Sequence, residues 1–389
     1  METHYVIDTL FAIFAMTLIV LMVPGFAMLE AGLVRTKNVT AVLTVNVMIY
    51  AIASMAFLLA GYTYAFGGWD YQDGISKWAF FMFQMAFVGK TINIMSGGVS
   101  ERSRIMPLTL FTLIMAAFIY PTIVNLTWGT NFLNDTVLDI SSMYDLAGST
   151  VIHSTGGWAL LAAILIMGAR RGKYKNGKIH VIPASNIPLV TLGGLLLWIG
   201  WFGFNGGSVG SISSKESADT VALTIMNTNT AGLAGAIISW ALMYIRYKKF
   251  DITMILNGAL GGLVSITAGP DLYGIYTPIL IGGIGGALVV FAVPIFDKLQ
   301  LDDPVGALSV HLVNGIWGTL AVGIFTDKPL LGQVKGVLVV GLFVFVVSFL
   351  SIYVINRLVR LRADDEEQLE GLDDSQCGMD AYPEFKRSI

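Results

Sequence analysis

Two of the four histidines in this 389-residue chain occupy matching positions in two similar segments. Residues 145–157 and 303–315 both read D-x-x-G-x-x-x-x-H-x-x-x-G, which places His153 and His311 at the same point of each segment. Both lie in apolar stretches, where an ionisable side chain is costly and therefore indicates function. Because burial favours uncharged rings or a pair that shares one proton, two such imidazoles suit a proton or a neutral hydrogen-bonding solute better than a bare cation.

Two other interpretations of these histidines stay open at this point. Either ring alone could be a buried side chain that bonds to a neighbouring backbone carbonyl, although the repeated segment favours a pair. A metal site needs three or four ligands, and the sequence has neither H-E-x-x-H nor a cluster of cysteines and histidines. An intramembrane metalloenzyme is therefore the least favoured function, and neither a metal nor another cofactor is predicted.

The composition predicts a membrane protein. Hydrophobic residues make up 55% of the chain and charged residues 13%, whereas an ordinary soluble domain has about 25% charged residues. This argues against a soluble enzyme and against a nucleic-acid-binding protein, which needs a basic patch. Because a helix needs about 20 apolar residues to cross a bilayer, the sequence predicts eleven spans, near residues 6–33, 41–66, 77–97, 106–128, 147–169, 186–208, 218–245, 252–270, 273–295, 307–326 and 334–358.

The distribution of charge predicts the orientation of these spans. Alternate loops and the C-terminal segment contain 18 of the 23 lysines and arginines, and such residues favour the cytoplasmic side. The N-terminus is therefore predicted outside and the C-terminus inside, which requires an odd number of spans. Residues 363–389 have nine acidic and two basic residues, a net charge of −7, so residues 1–362 have a net charge of +4. We predict a transmembrane domain over 1–362 and an acidic cytoplasmic tail over 363–389.

A second match indicates that the two halves of the chain repeat each other. Gly25, Glu30 and Gly32 have the spacing of Gly200, Asn205 and Gly207. The two matched pairs lie on spans one and six and on spans five and ten. An offset of five spans inverts the second copy, which predicts a five-plus-five inverted repeat with a site near the bilayer midplane. The halves are 6–170 and 186–326, and 334–358 is an extra helix.

The same repeat predicts the depth of the histidines. At 1.5 Å per residue, each lies about 12 Å from an opposite face of a core about 30 Å thick. The two imidazoles are therefore expected to meet near the middle.

Several further motifs, taken with these histidines, resemble ammonium transporters of the Amt/Mep/Rh family. They run in order through essentially the whole chain and are G-L-V-R-T-K-N at 32–38, F-Q-M-A-F at 83–87, S-E-R at 100–102, D-L-A-G-S-T-V-I-H at 145–153, G-W-F-G-F-N-G-G-S at 200–208 and D-D-P at 302–304. The resemblance implies a multi-pass transporter of ammonium or ammonia in the plasma membrane, not an enzyme, that forms a homotrimer with one pore per subunit.

The resemblance also implies roles for individual residues. Phe87 and Trp128 match aromatic positions that hold ammonium by cation–π attraction, and Ser208 matches a hydroxyl that accepts its hydrogen bond. Phe87 and Phe204 would form a stacked gate beneath this outer site. Asp145 matches an acid beside the site, and its position equally suits a helix N-cap.

The mechanism implied is deprotonation near the gate, followed by passage of ammonia past His153 and His311. Burying a bare ammonium ion costs many kcal/mol, which favours loss of the proton. Potassium has no proton to release, so the same step would exclude it.

Lys90 departs from this pattern, because it lies three residues after Phe87 on the face assigned to the pore. It is expected to turn away and pair with an acid or with carbonyls, to be buried in its uncharged form, or to mark a variant with altered transport. The tail departs as well, with Cys377 and Met379 where the family leads us to expect a histidine and an acid.

In the family this tail couples to a PII-type nitrogen-signalling protein, and the basic loop 170–178 could help to dock such a partner or could serve only the positive-inside rule. An ammonium sensor that signals through its tail and transports little is the second functional hypothesis.

Overall fold

The computed structural model describes residues 2–71, 74–134 and 136–385. Over these residues the chain forms a helical bundle. Its main helices, in chain order, are α1 (Glu2–Leu33), α2 (Thr36–Phe66), α3 (Lys77–Val99), α4 (Ile105–Thr127), α5 (Ser149–Met167), α6 (Ile187–Gly207), α7 (Lys215–Tyr247), α8 (Ile252–Ile266), α9 (Thr277–Lys298), α10 (Leu308–Phe325) and α11 (Leu330–Leu358). Lys386 and Arg387, two of the basic residues on which the predicted orientation rests, lie outside the described part of the chain.

Nine of these helices are long and apolar enough to cross a membrane, counted over the described residues. The exceptions are α3, which carries Lys77 and Lys90, and α8, whose 15 residues make it a short apolar helix. The predicted boundaries differ from the helix ends by up to five residues: α2 begins at Thr36 and not near residue 41, with a 3₁₀ turn over Thr36–Asn38, and α1 begins at Glu2 and not near residue 6.

Glycines allow α1 and α6 to pack with their backbones close together. A Cβ atom on Gly193 would lie 2.2 Å from the backbone nitrogen of Leu29, and one on Gly200 would lie 2.2 Å from the Met22 side chain. Small residues permit this close approach of membrane helices. The segments around Gly25 and Gly200, which the sequence matched to each other, therefore pack against one another.

Four of the bundle helices contain π-helical turns. Those of α2 (Phe57–Gly61) and α4 (Met115–Ile119) are adjacent, since a Cβ on Gly61 would lie 2.4 Å from the Ala116 carbonyl oxygen. The other two open α5 (Ser149–Ser154) and α10 (Leu308–Val313). Such turns often occur at functional sites.

One end of the bundle, which we call the tail face, is held together by buried ion pairs. Arg170 contacts Asp302 at 2.8 Å and Glu101 at 3.5 Å, and Arg102 donates to the Asp302 carbonyl oxygen at 2.6 Å. Arg35 also pairs with Glu101, at 2.5 Å. These side chains join the loops after α1, α3, α5 and α9, which the basic-residue pattern had assigned to a common side.

The chain after α11 packs on this tail face. It contains the short helix α12 (Asp365–Glu370), a π-helical turn (Asp373–Cys377) and a 3₁₀ turn (Pro383–Phe385). Asp373 accepts a hydrogen bond from the Ala41 backbone at 2.8 Å, and Arg104 contacts Glu367 at 2.7 Å. The described part of the acidic tail is thus docked against basic loops. A two-stranded hairpin, β1 (Tyr174–Lys175) and β2 (Lys178–Ile179), lies in the loop after α5.

Candidate functional site

The two sequence-matched histidines meet inside the bundle. His153 Nδ1 and His311 Nδ1 are 3.2 Å apart, and the rings lie nearly parallel with centroids 5.2 Å apart. Both side chains are buried. At this distance one ring nitrogen donates and the other accepts, so the pair is hydrogen-bonded. The predicted convergence of the two histidines is confirmed.

Each histidine lies on a helix that begins in the same way. The Asp145 carboxylate accepts hydrogen bonds from the backbone N–H groups of residues 148–151, at 2.8–3.0 Å. The Asp303 carboxylate accepts them from residues 305, 306 and 308, at 2.7–3.3 Å. Gly148 and Gly306 both adopt a positive φ, of 114° and 78° respectively, which glycine tolerates best. A π-helical turn then presents the histidine in each helix.

The crossing of α5 and α10 also depends on glycine. A Cβ on Gly157 would lie 2.6 Å from the Leu312 Cβ, and one on Gly315 would lie 2.4 Å from the Ser149 carbonyl oxygen. These are the last glycines of the two matched segments. The absence of a side chain on each helix allows the other helix to approach, which brings the rings into contact.

Aromatic rings cover the pair on the side away from the tail face. His153 stacks on Trp201 and Phe204, with centroid distances of 5.0 and 5.4 Å. Trp201 is fixed by its indole N–H, which donates to Thr267 Oγ1 at 2.9 Å. Phe87 meets Phe204 at 4.7 Å with an interplanar angle of 88°. The predicted stacked arrangement of this pair is therefore wrong: the rings pack edge to face, as aromatic quadrupoles favour.

Trp128 and Ser208, the other residues predicted for the outer site, lie near the Phe87–Phe204 pair. Trp128 is 6.3 Å from Phe87 between ring centroids, and Phe83 packs against Phe87 at 4.9 Å. Ser208 donates its hydroxyl to the Phe204 carbonyl oxygen at 2.8 Å, so the lone pairs of its oxygen are free to accept. Trp128 and Ser208 are both partly exposed. Trp128 and Phe83 therefore lie beside Phe87, and Ser208 contacts the backbone of Phe204.

Asp145 connects Trp128 with the start of α5, and backbone donors engage its carboxylate. Its carboxylate is occupied by four backbone N–H groups, and its carbonyl oxygen accepts the Trp128 indole N–H at 2.8 Å. Burial raises the pKa of Asp145 to about 6, although the hydrogen bonds from the backbone oppose this rise. The helix-cap role is present, although α5 itself begins four residues later, at Ser149.

Lys90 turns away from the pore but does not find the acid or carbonyl partner that one interpretation expected. It is 1% exposed, and its Nζ has no hydrogen-bond partner within the described residues. The Nζ lies over the ring of Tyr50, on α2, 5.8 Å from the centroid. Burial without a hydrogen-bond partner is what the interpretation of a buried, uncharged lysine expects.

A cavity lies on the tail side of His311 and was not predicted. It has about 300 Å³ of empty space and is lined mainly by apolar side chains, with four polar ones: Glu30, Asn93, Asn257 and His311. The sequence feature that could have indicated this cavity is Glu30, an acidic residue inside the first apolar stretch. It was used above as part of the repeat alone. A larger cavity of about 840 Å³ continues towards the tail face and shares Asn257 and Val305 with the first.

The described residues contain no group of three or more His, Cys, Asp or Glu side chains that could hold a metal ion. Three basic residues of the predicted docking loop have internal partners, and one of them is Arg171, whose guanidinium donates to the Asp365 carbonyl oxygen at 3.0 Å. Arg170 is bound to Asp302, and Lys173 contacts Asp297 at 2.9 Å. The exposed basic residues of this loop are Arg171, Lys175 and Lys178.

Known proteins resemble the chain over nearly its whole length. The model of the Ammonium Transporter Family matches residues 10–382. Ammonium transporter Amt2 of Archaeoglobus fulgidus is 33% identical over 97% of this chain and 89% of its own length. The ammonium transporter of Bacillus subtilis is 33% identical over 96% of this chain and 98% of its own. A solved structure titled Sensor Amt Protein superposes with a TM-score of 0.89 at 32% identity, covering 97% of this chain and all of that one.

Proposed function

The chain belongs to the ammonium transporter family, and we propose that it captures ammonium at the outer aromatic site, removes a proton, and passes ammonia by the histidine pair. Members of this family are multi-pass membrane transporters and not enzymes. The plasma membrane is their usual location.

The contact between His153 and His311 carries this proposal. It places two hydrogen-bonding rings directly beneath the Phe87–Phe204 contact. Phe87 and Phe204 are 1% and 0% exposed, which supports a route closed to bulk water at this contact. A bare cation would lose its hydration there at a cost of many kcal/mol. Ammonia carries no charge and can exchange hydrogen bonds with the rings.

The outer site supports capture of the cation. The faces of Phe87 and Trp128 supply cation–π attraction, worth about 0.5–2 kcal/mol per ring, and the Ser208 oxygen supplies an acceptor. Asp145 acts by holding the Trp128 ring and the start of α5. Potassium has no proton to give up, so the same route would exclude it.

We further propose that α1 to α11 all cross the membrane as a five-plus-five inverted repeat with one extra helix. The matching starts of α5 and α10 support the repeat. The cluster of basic loops supports a cytoplasmic tail face, an external N-terminus, and a division into a transmembrane domain (1–362) and a cytoplasmic tail (363–389). A homotrimer rests on the family resemblance alone.

Ammonium-evoked current in proteoliposomes tests the proposal. We expect a current that saturates with ammonium and persists when an equal concentration of potassium is added. Protein-free liposomes serve as the control. If the protein gives no ammonium current and no uptake of labelled methylammonium, it does not transport as proposed.

A sensor function is the second candidate, and two observations favour it. The Sensor Amt Protein is similar over 97% of this chain, and the tail docks on the loop that follows the His153 helix, where Arg171 donates to Gln368 and to the Asp365 carbonyl oxygen. In this case ammonium would bind at the outer site and alter the tail, with a PII-type protein as the partner of the tail face. Ammonium-dependent protection of residues 363–385 from hydrogen exchange, in a protein that gives no current, would favour the sensor.

A further inference from the structure

The cavity on the tail side of the histidine pair contains a carboxylate that the proposed route does not use. Glu30, on α1, is 1% exposed and lines this cavity with Asn93 and His311. We propose that Glu30 and Asn93 form a second binding site for a monovalent cation of ammonium size, on the tail side of His311. The inference rests on the proposed function, because transport would re-form ammonium in this part of the route.

A chain of hydrogen bonds fixes the direction in which each amide points. Glu30 Oε2 accepts from Asn46 Nδ2 at 2.9 Å, and Asn46 Oδ1 accepts from Asn93 Nδ2 at 3.1 Å. Asn46 Nδ2 also donates to the Val42 carbonyl oxygen at 3.0 Å, and a carbonyl oxygen can only accept, so Asn46 turns its NH₂ group to Glu30 and Val42 and its oxygen to Asn93. Asn93 must then present its own NH₂ group to Asn46. Its Oδ1 is left buried without a partner among the described residues.

The second oxygen of Glu30 also has capacity to spare. Its hydrogen bond from Ser96 Oγ is long, at 3.4 Å, and the same hydroxyl lies closer to the Asn93 carbonyl oxygen, at 3.0 Å. A Cβ on Gly97 would lie 3.1 Å from this Oε1, so glycine leaves the oxygen uncovered. The cavity is thus lined by two acceptors, one from a carboxylate and one from an amide. An ammonium ion can donate N–H groups to both.

The cavity is large enough for such an ion. The space open to the centre of a water-sized sphere is about 20 Å³, above the ~10–15 Å³ that one water needs, and ammonium is close to water in size. On the tail side, Asn257 Nδ2 donates to the Val305 carbonyl oxygen at 3.0 Å. Because Asn257 and Val305 line both cavities, this hydrogen bond lies between the proposed site and the larger opening.

The chemistry at this site balances without another reactant. The proton removed at the outer gate passes along the hydrogen-bonded His153–His311 pair, and ammonia that has passed His311 takes it from that ring, so that one N–H bond forms on ammonia as one breaks on the imidazole. The product is ammonium, which the Glu30 carboxylate neutralises until the ion leaves towards the tail face. A buried carboxylate without a counter-charge is costly, and the ion supplies that charge.

Thallium(I), a monovalent cation of ammonium size, provides a direct probe. Crystals of the full chain soaked in thallium(I) acetate should show an anomalous peak between Glu30 and Asn93. Glu30→Gln keeps the shape of the side chain and removes its charge, so the peak should disappear. Glu216→Gln makes the same change at an exposed position on α7 and should leave the peak in place. A peak that is absent from the parent crystals, or that persists in Glu30→Gln, overturns the site.

A second measurement covers the case in which Glu30→Gln crystallises poorly. With ammonium applied from the tail face of oriented proteoliposomes, Glu30→Gln should raise the half-saturating concentration at least about tenfold, because a charge-assisted hydrogen bond is lost. An unchanged value overturns the proposal. If the parent gives the thallium peak but no ammonium current, the site stands and the transport function fails. If it gives the current but no peak, transport stands and the site fails.

Discussion

Trp128 donates its indole N–H to the backbone carbonyl oxygen of Asp145 at 2.8 Å, while the carboxylate of the same aspartate binds the backbone N–H groups that open α5. Asp145 therefore connects the outer aromatic ring with the helix that carries His153. In the proposed route, both the capture of the cation and the environment of the histidine pair therefore depend on Asp145.

Replacing Trp128 separates the cation–π contribution from this hydrogen bond. Trp128→Leu removes the aromatic face and should raise the half-saturating ammonium concentration about two- to thirtyfold, which corresponds to about 0.5–2 kcal/mol. Trp128→Phe keeps an aromatic face and should have a smaller effect. Proteoliposome currents at graded ammonium concentrations measure both.

Trp240→Leu is the matched control, because Trp240 is 48% exposed on the outside of the bundle. We expect its half-saturating concentration to equal that of the parent. A parental value for Trp128→Leu as well would exclude Trp128 from the outer site.

The buried ion pairs of the tail face should be a main source of stability there. Asp302→Asn leaves Arg102 without its carboxylate and leaves Arg170 only the longer contact with Glu101 at 3.5 Å, and both arginines are at most 5% exposed. Removing one partner of a buried pair costs about 3–5 kcal/mol. Thermal unfolding of the detergent-solubilised protein should show a clear loss. Asp297→Asn, which breaks the more exposed contact with Lys173, should cost about 1 kcal/mol or less.

The same aspartate predicts a dependence of stability on pH. Burial by itself would raise the pKa of Asp302, but the hydrogen bonds and charges of Arg170 and Arg102 outweigh it and lower the pKa to about 2. A carboxyl whose pKa is lower in the folded state stabilises the fold above its unfolded pKa of about 4. This contribution should be lost as the pH falls from about 4 to about 2. A parent and Asp302→Asn that lose stability in parallel over that range would contradict the assignment.

Lys90 is expected to have no part in transport. Its Nζ faces Tyr50, has no hydrogen-bond partner in the described part of the chain, and does not line the cavity below His311. Lys90→Met keeps most of the packing and removes a buried polar group, so the midpoint of thermal unfolding should rise. Ammonium current should stay within twofold of the parent. A tenfold change in current would return Lys90 to the pore.

The sequence was most informative about features set by local spacing. Apolar stretches of membrane length predicted each bundle helix to within a few residues at most ends, because the length of a crossing helix is fixed by bilayer thickness. The meeting of His153 and His311 followed from the repeat and the rise per residue. The start of α5 was also foreseen, since an aspartate before an apolar stretch is a common cap.

Features that depend on side-chain geometry between distant segments could not be predicted. The π-helical turns under both histidines have no marker in helical spacing. The edge-to-face contact of Phe87 with Phe204 depends on how α3 and α6 are rotated. The free oxygen of Asn93 follows from a chain of one carboxylate and two amides on three helices. The contact of Asp373 with Ala41 joins residues more than 300 positions apart in the sequence.

The histidine contact itself gives the most direct test of the proposed route. Ammonium-evoked current should be recorded in proteoliposomes that contain the parent, His153→Ala or His311→Ala, with potassium added in a second series. His180→Ala, in an exposed loop, is the matched control and should behave as the parent does. We predict that each pore variant changes the rate, the discrimination against potassium or the charge moved per ammonium. If both variants conduct as the parent does in all three respects, the histidine pair has no role in transport.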